Sequence, residues 1–259
     1  MQTHTQHPII IAGPCLVESS DLIMRVAEHL ANICRDLPVE LVLKGSYRKA
    51  NRTSAGSFSG IGDEQALLAL HEAGRAHGLR TLTDVHADAE AALAAPFVDV
   101  IQIPAFLSRQ TSLLQAAAAT GRTVNIKKAQ FMAPDDMAKA AEKVAVAGNS
   151  NIWLTERGTS FGYHDLVVDF RSLVIMRQTG YPVIYDATHS VQQPSIGAQS
   201  GGRREFIPAL ARAAAAVGID GLFVETHPDP ANAKSDAATQ LPLADMADFL
   251  TMVLDHWHR

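Results

Sequence analysis

Three observations in the sequence predict a single (β/α)8 barrel. Eight short apolar runs each end in a polar or charged cluster, and a segment of helical pattern follows each one. The runs are nearly continuous in apolar residues, as parallel strands buried on both faces are. The whole pattern fits into 259 residues, a length that suits one barrel, and no Pro/Gly/Ser-rich linker divides it, so one domain over 1–259 is expected. Alternation of strand and helix argues for βαβ repeats rather than a meander. An open doubly wound sheet is the alternative, but no G-x-G-x-x-G follows the first strand.

The elements follow in order. The first strand is IIIAG (9–13), followed by Cys15 and a helix over 20–35. In that helix Leu22, Ile23, Val26, Leu30 and Ile33 recur near a 3.6-residue period, and Ser19 or Ser20 can cap it. LVLKG (41–45) comes next, with a long connection over 45–62 and a helix over 63–77. LTDVH (82–86) precedes a helix over 87–95, and VIQIP (100–104) one over 109–120. VNIKK (124–128) precedes a helix over 134–147. IWLTER (152–157), a connection over 156–164 and a helix over 165–179 form the sixth unit. VIYDATH (183–189), a connection over 187–203 and a helix over 204–217 form the seventh. LFVETH (222–227), a connection over 226–241 and a helix over 243–257 complete the set. All four long connections follow strands, where barrel enzymes carry their active-site loops. Closure would therefore gather Cys15, Lys44, Asp84, Gln102, Lys127, Arg157, His189 and Glu225 at one mouth.

Composition narrows the function. The chain is 47% hydrophobic and 19% charged, enough for a large core. Net charge is -5, with Lys+Arg 22 against Asp+Glu 27, so there is no basic footprint for nucleic acid. Two cysteines, far apart in sequence, make no disulfide framework and fit a reduced, cytoplasmic setting. The first residues show no signal-peptide pattern, and no run approaches the roughly 20 apolar residues a membrane span needs.

On this acidic chain the cations concentrate at strand ends. KGSYRKANRTS (44–54) holds four of them among small hydroxyl and amide groups, a composition suited to carboxylates and phosphates. A solvated basic loop is the bland alternative, but Lys44 sits at the strand end itself. Strand alternation puts Asn125 and Lys127 on one face and Lys128 on the other, and Lys127 is assigned to the barrel axis. Arg157, in the glycine-containing TERGTSFGY, adds to a positive mouth that would attract anions. A second group mixes ligand types: Cys15 in AGPC, His189 in DATH, Glu225 in VETH and Asp236 in KSDAATQ. One thiolate, one imidazole and two carboxylates suit a divalent ion such as Zn²⁺ or Fe²⁺, provided the barrel brings them together. Cys34 reads as a small buried hydrophobe.

In these motifs the chain resembles the 3-deoxy-D-manno-octulosonate 8-phosphate (KDO8P) synthase family. The most specific match is KANR at 49–52, where the related DAHP synthases carry a K-P-R-T-S pattern. Further matches are AGPC–VES, TDVH, IQIPAFL–RQT, N–KK–QF, TERGT–FGY with YHDLVVDFRSL, YDATHSVQ, SGG–REF and ETHPDP–A–SDA–TQLPL. The resemblance implies a barrel enzyme that condenses phosphoenolpyruvate with arabinose 5-phosphate and releases phosphate. It also implies a homotetramer and a role in lipopolysaccharide synthesis. Metal-dependent members carry Cys in the first motif and metal-independent members carry Asn, so Cys15 implies metal dependence, with Zn²⁺, Fe²⁺, Mn²⁺ or Co²⁺ as the ion. His189, Glu225 and Asp236 would complete the ligand set. Lys44, Ser46, Lys49, Gln102, Ala105, Lys127 and Arg157 would surround phosphoenolpyruvate, and Asn51 would contact the sugar. Arg52 and Thr53 would bind the sugar phosphate in a neighbouring subunit's site. Lys49, Asp84 and His189 are the expected catalytic residues, the last two as proton carriers.

One stretch departs from the family. Where the family usually reads S-F-D-K-A-N-R-S-S-I-H-S-F-R-G-P-G, this chain reads SYRKANRTSAGSFSGIG. Arg48 replaces an acidic residue, Ala55-Gly56 replaces Ile-His, and Ser59 replaces Arg. The expectation is a rearranged charge at the sugar-phosphate loop and weaker or broader aldose-phosphate selectivity. A paralogue using another aldose phosphate, such as a DAHP-type synthase taking erythrose 4-phosphate, and a non-catalytic sugar-phosphate sensor are the competing readings.

Overall fold

The computed structural model describes residues 7–50, 58–194 and 201–257. Eight parallel strands form the barrel: β1 (Ile9–Gly13), β2 (Glu40–Lys44), β3 (Arg80–Asp84), β4 (Val100–Ile103), β5 (Thr123–Lys127), β6 (Ile152–Glu156), β7 (Val183–Asp186) and β8 (Gly221–His227). Each pairs with the next, and β1 closes the ring on β8 from Ile9↔Gly221 to Gly13↔Glu225. The helices are α1 (Ser20–Cys34), α2 (Asp63–His77), α3 (Asp88–Ala94), α4 (Thr111–Ala119), α5 (Met137–Ala145), α6 (Arg171–Arg177), α7 (Ile207–Val217) and α8 (Met246–Leu254). Ser19 is the residue that caps α1, its Oγ accepting from the Leu22 amide at 3.1 Å.

Strand alternation sorts the core into two shells. Inside the barrel, Ile9, Ile11, Val42, Leu82, Val100, Trp153, Ile184 and Phe223 pack on one another. Their neighbours Ile10, Leu43, Ile101, Val124, Leu154, Tyr185 and Leu222 face outward and join the helices in a separate, larger core. Below the inner apolar layer, at the amino-terminal end of the strands, Arg80 donates to Glu40 at 2.5 Å and Thr123 at 3.1 Å, and its guanidinium lies 5.2 Å from the Trp153 ring centre. Above it, at the carboxyl end, the inward positions turn polar. Gly13 makes that end possible: its φ is +154°, and a Cβ there would sit 2.0 Å from the Lys44 carbonyl oxygen.

The helix expected over 165–179 is shorter than its pattern suggested. Leu166–Val167 pairs antiparallel with Thr159–Ser160, and the chain becomes helical at Arg171. Asp169 explains the start, because its side chain accepts from the Arg171 amide at 3.0 Å. The helices α4, α5, α7 and α8 are each preceded in their connection by a 3-10 turn, at Ala105–Leu107, Pro134–Asp136, Arg204–Phe206 and Leu243–Asp245. Among the described residues no helix is long and apolar enough to cross a membrane.

Candidate active site

The carboxyl ends of the strands gather two groups of side chains. In the first, the Cys15 Sγ, a Glu225 oxygen and an Asp236 oxygen lie within 4.8 Å of one another. Cys15 leaves β1 just beyond Gly13, and its thiol donates to Ser235 Oγ at 3.0 Å and Asp236 Oδ2 at 3.1 Å. The loop after β8 is locked to it by Gln240, which accepts from the Cys15 amide at 3.0 Å and donates to the Ser235 carbonyl at 2.8 Å. Among the described residues other than glycine, only Asp236 has a positive φ, 45°, a conformation aspartate tolerates better than most. His189 Nε2 points at the same cluster, 3.8 Å from Glu225 Oε1 and 3.7 Å from Asp236 Oδ2.

The opposite ring nitrogen is held by a residue that sequence reasoning passed over. Asp186, fully buried on β7, meets His189 Nδ1 at 2.9 Å and accepts from Lys127 Nζ at 2.7 Å and the His189 amide at 2.9 Å. Burial disfavours its charge, yet the adjacent His189 and Lys127 hold its carboxyl far below the usual range. A carboxylate on Nδ1 fixes the imidazole tautomer and leaves Nε2 with its lone pair. Asp186 lies two residues beyond inward Ile184 and so on the same face, and strand parity carried the signal that would have found it.

The donor set fits a divalent cation. Burial, then Asp236 and Glu225, push the Cys15 thiol well up, so it ionises only beside a compensating positive charge. Glu225 Oε2 is buried with no hydrogen-bond partner among the described residues. A cation at this point would meet one thiolate, one imidazole and two carboxylates, a borderline-soft set.

The second group is cationic. Lys44 Nζ donates to Glu225 Oε1 at 2.5 Å and to the Cys15 carbonyl at 2.8 Å. Lys127 faces the barrel axis, its ammonium 3.7 Å from the Phe223 ring centre, while Lys128 lies behind the wall. Lys49 donates to Ser46 Oγ at 2.8 Å. Burial opposes its charge, but Cys15, Asp84, Glu225 and Asp236 outweigh that and hold its pKa above the ordinary lysine range. Arg157 donates to Gln192 at 3.0 Å, and Gln192 donates to Asp236 at 3.0 Å, so one amide joins the two groups. The second terminal guanidinium nitrogen, Nη1, is buried without a partner among the described residues. Gln102 is buried and accepts from Asn125 at 3.1 Å, which in turn accepts from Thr155 at 2.6 Å. Ala105 is buried at the start of its 3-10 turn.

Asp84 completes the mouth from β3. Its Oδ2 lies 3.1 Å from His86 Nε2, while Oδ1 is buried with no partner among the described residues. Behind it, Glu90 of α3 accepts from the His86 amide at 2.8 Å and the Tyr47 hydroxyl at 2.5 Å. Glu90 also takes Arg48, whose guanidinium reaches Asp63 at 3.0 Å as well. Arg48 is thus paired at the flank, and the expectation that it adds a cation to the mouth is corrected: two carboxylates on α2 and α3 absorb its charge. Ser59 holds Lys49 through its backbone, its carbonyl accepting from the Lys49 amide at 2.9 Å. Asn51, Arg52, Thr53 and Ala55-Gly56 lie outside the described residues.

Residues from all eight strands or the turns after them therefore meet in one polar mouth. This geometry agrees with the sequence comparisons. The family model described as the DAHP synthetase I family matches residues 2–257. The chain belongs to that family. A protein named 2-dehydro-3-deoxyphosphooctonate aldolase from a Synechococcus species is 54% identical over 246 residues, 95% of this chain and 87% of the relative. One of the same name from Acidithiobacillus ferrooxidans is 52% identical over 255 residues, 97% of this chain and 91% of its own. Another, from Magnetococcus marinus, is 54% identical over 242 residues, 93% and 84%.

Proposed function

We infer that this barrel is a KDO8P synthase. It condenses phosphoenolpyruvate with D-arabinose 5-phosphate and water, giving 3-deoxy-D-manno-octulosonate 8-phosphate and phosphate. The observation that carries the reading is the convergence of Lys44, Lys49, Lys127 and Arg157 beside the Cys15 cluster, in a chain 52–54% identical to enzymes named for that product. A non-catalytic sensor would have no use for both groups intact. The test is phosphate release from phosphoenolpyruvate with a panel of four- and five-carbon aldose phosphates. Arabinose 5-phosphate should be the best acceptor. No turnover with it, alongside good use of another sugar phosphate, would leave the reaction class and remove the product assignment.

The residues divide the work as follows. Lys44, Ser46, Lys49, Gln102, Ala105, Lys127 and Arg157 surround phosphoenolpyruvate, where the buried ammonium and guanidinium groups neutralise its phosphate and carboxylate. Holding its C3 against the aldehyde carbon converts entropy into rate. Charge developing at C2 draws in water, and Asp84 and His189 are the groups placed to carry protons. Asp84 is held ionised: burial opposes this, and Lys49 and His86 override it. Asn51 contacts the sugar, and Arg52 and Thr53 its phosphate.

Cys15, His189, Glu225 and Asp236 would hold a divalent ion, Zn²⁺, Fe²⁺, Mn²⁺ or Co²⁺, and the enzyme is metal-dependent on this reading. Such an ion supplies Lewis acidity for the aldehyde or an activated water. The active form is a homotetramer in the cytoplasm, with Arg52 and Thr53 serving a neighbour's site. With Arg48 paired, altered acceptor selectivity rests on Ser59 and the segment before it.

A further inference from the structure

Outside the two groups of the mouth, one buried ion pair has no part in the chemistry above. Lys128 and Glu156 follow β5 and end β6, each facing away from the barrel axis, with side chains 0% and 1% exposed and Nζ 3.4 Å from Oε1. Each is the chain neighbour of an anion-binding residue, Lys127 and Arg157. A buried pair of this kind adds little stability, since desolvation consumes most of the attraction and apolar residues of the same size do as well or better. Its contacts show what it holds. Lys128 Nζ donates to Thr159 Oγ1 at 3.0 Å, the Ala129 and Met132 carbonyls at 3.4 Å each and the Gly158 carbonyl at 3.5 Å. Glu156 Oε1 accepts from the Gly158 amide at 2.6 Å. Those partners are the backbones of the turns after β5 and β6, and the Ser160 amide ties the same two turns by donating to the Gln130 carbonyl at 3.0 Å.

We propose that Lys128 and Glu156 are positioning residues: an ionic clamp behind the barrel wall that sets the spacing of Lys127 and Arg157 across the phosphoenolpyruvate anion. Neither touches substrate. The clamp grips both sides of the two residues it serves. Arg157 is enclosed between Glu156 and Gly158, whose φ of +92° turns the chain immediately after the guanidinium-bearing residue. Lys127 is followed at once by Lys128 and the carbonyls it binds.

The inference rests on Lys127 and Arg157 binding phosphoenolpyruvate, and the experiment separates the two ideas. Steady-state kinetics and phosphoenolpyruvate titration would be run on the full chain carrying Lys128→Met, Lys128→Arg, or Lys128→Met with Glu156→Leu, beside thermal unfolding. Misplacement by about 1 Å costs on the order of a hundredfold, so Lys128→Met should raise KM for phosphoenolpyruvate by about tenfold to a hundredfold. KM for arabinose 5-phosphate should move by less than about threefold, because Lys127 and Arg157 are not assigned to the sugar phosphate. Lys128→Arg, which keeps the charge, should restore most of the affinity. The double variant decides the matter: apolar partners should recover the unfolding temperature while KM for phosphoenolpyruvate stays raised. Recovery of both, or a lower unfolding temperature with unchanged phosphoenolpyruvate binding, would make the pair a packing element and overturn the clamp. A wild type that neither binds nor turns over phosphoenolpyruvate would overturn the functional reading and the clamp together. If Lys128→Met does not fold, Glu156→Gln carries the same comparison, since its amide oxygen can still accept from Gly158 but no longer carries the negative charge that pairs with Lys128.

Discussion

Replacing Asp186 with Asn removes one oxygen and one charge from a fully buried position, and the consequences divide between two measurements. Oδ1 accepts from the Thr188 amide at 3.1 Å and the His189 amide at 2.9 Å, and an asparagine oxygen can keep both. Oδ2 accepts from Lys127 at 2.7 Å and meets His189 Nδ1 at 2.9 Å, where an asparagine NH2 would oppose two donors. Removing one partner of a buried ion pair costs about 3–5 kcal/mol, because the surviving charge is left uncompensated. Denaturant unfolding at neutral pH should show a loss of that order. The ring of His189 also loses its anchor, and such anchors change metal affinity by about 10- to 100-fold. Co²⁺ titration, followed through thiolate absorption, reads that second effect independently of turnover. If the Asn variant binds Co²⁺ within about threefold of wild type and unfolds within about 0.5 kcal/mol of it, neither charge compensation nor ring orientation is the task of Asp186.

Three further outcomes follow from the same geometry. Chelation should abolish turnover and Mn²⁺, Fe²⁺, Co²⁺ or Zn²⁺ should restore part of it; Cys15→Ser should lose activity strongly, and Cys15→Asn should keep more metal-free activity than Cys15→Ser, which equal metal-free rates for the two would contradict. Mixing inactive Arg52→Ala with inactive Lys127→Ala should regain some activity after subunit exchange, and a fully active monomer in sedimentation would rule this out. His86 titrates above its ordinary value of 6.5, since burial opposes its charge but Asp84 and Glu90 outweigh both burial and Lys49. Its contribution to stability is therefore complete below about pH 6.5 and lost as pH rises through the higher folded value. His86→Gln should flatten the pH dependence of the denaturation midpoint above about pH 6.5, and an unchanged slope would show that another group sets it.

Much of this was legible in the sequence because short apolar runs that end in polar clusters alternate with helical segments. That pattern marked all eight strands and placed Lys44, Asp84, Gln102 and Glu225 at one mouth, and the two-residue period of a strand assigned Lys127 to the axis over Lys128. The same period holds Asp186, in phase with Ile184. Gln192, Ser235 and Gln240 were not legible: they come from connections whose paths depend on hydrogen bonds to residues up to 225 positions away. The overlong helix over 165–179 has a local cause, since an apolar pair at Leu166–Val167 reads equally as a helix turn or a strand. The pairing of Arg48 is not legible in the sequence, because Asp63 and Glu90 become its neighbours only when α2 and α3 bring them to one flank of the barrel.

The apolar layer of Ile9, Ile11, Val42, Leu82, Val100, Trp153, Ile184 and Phe223 also acts as an insulator. The Glu40–Arg80–Thr123 plug lies beneath it, so the amino-terminal end of the barrel is filled below the cations of the mouth. A low-dielectric floor of this kind directs field lines outward through the opening rather than letting them dissipate through the protein. Capture of a doubly charged anion should then be fast in dilute buffer and slow steeply with added salt, although the chain as a whole is negatively charged.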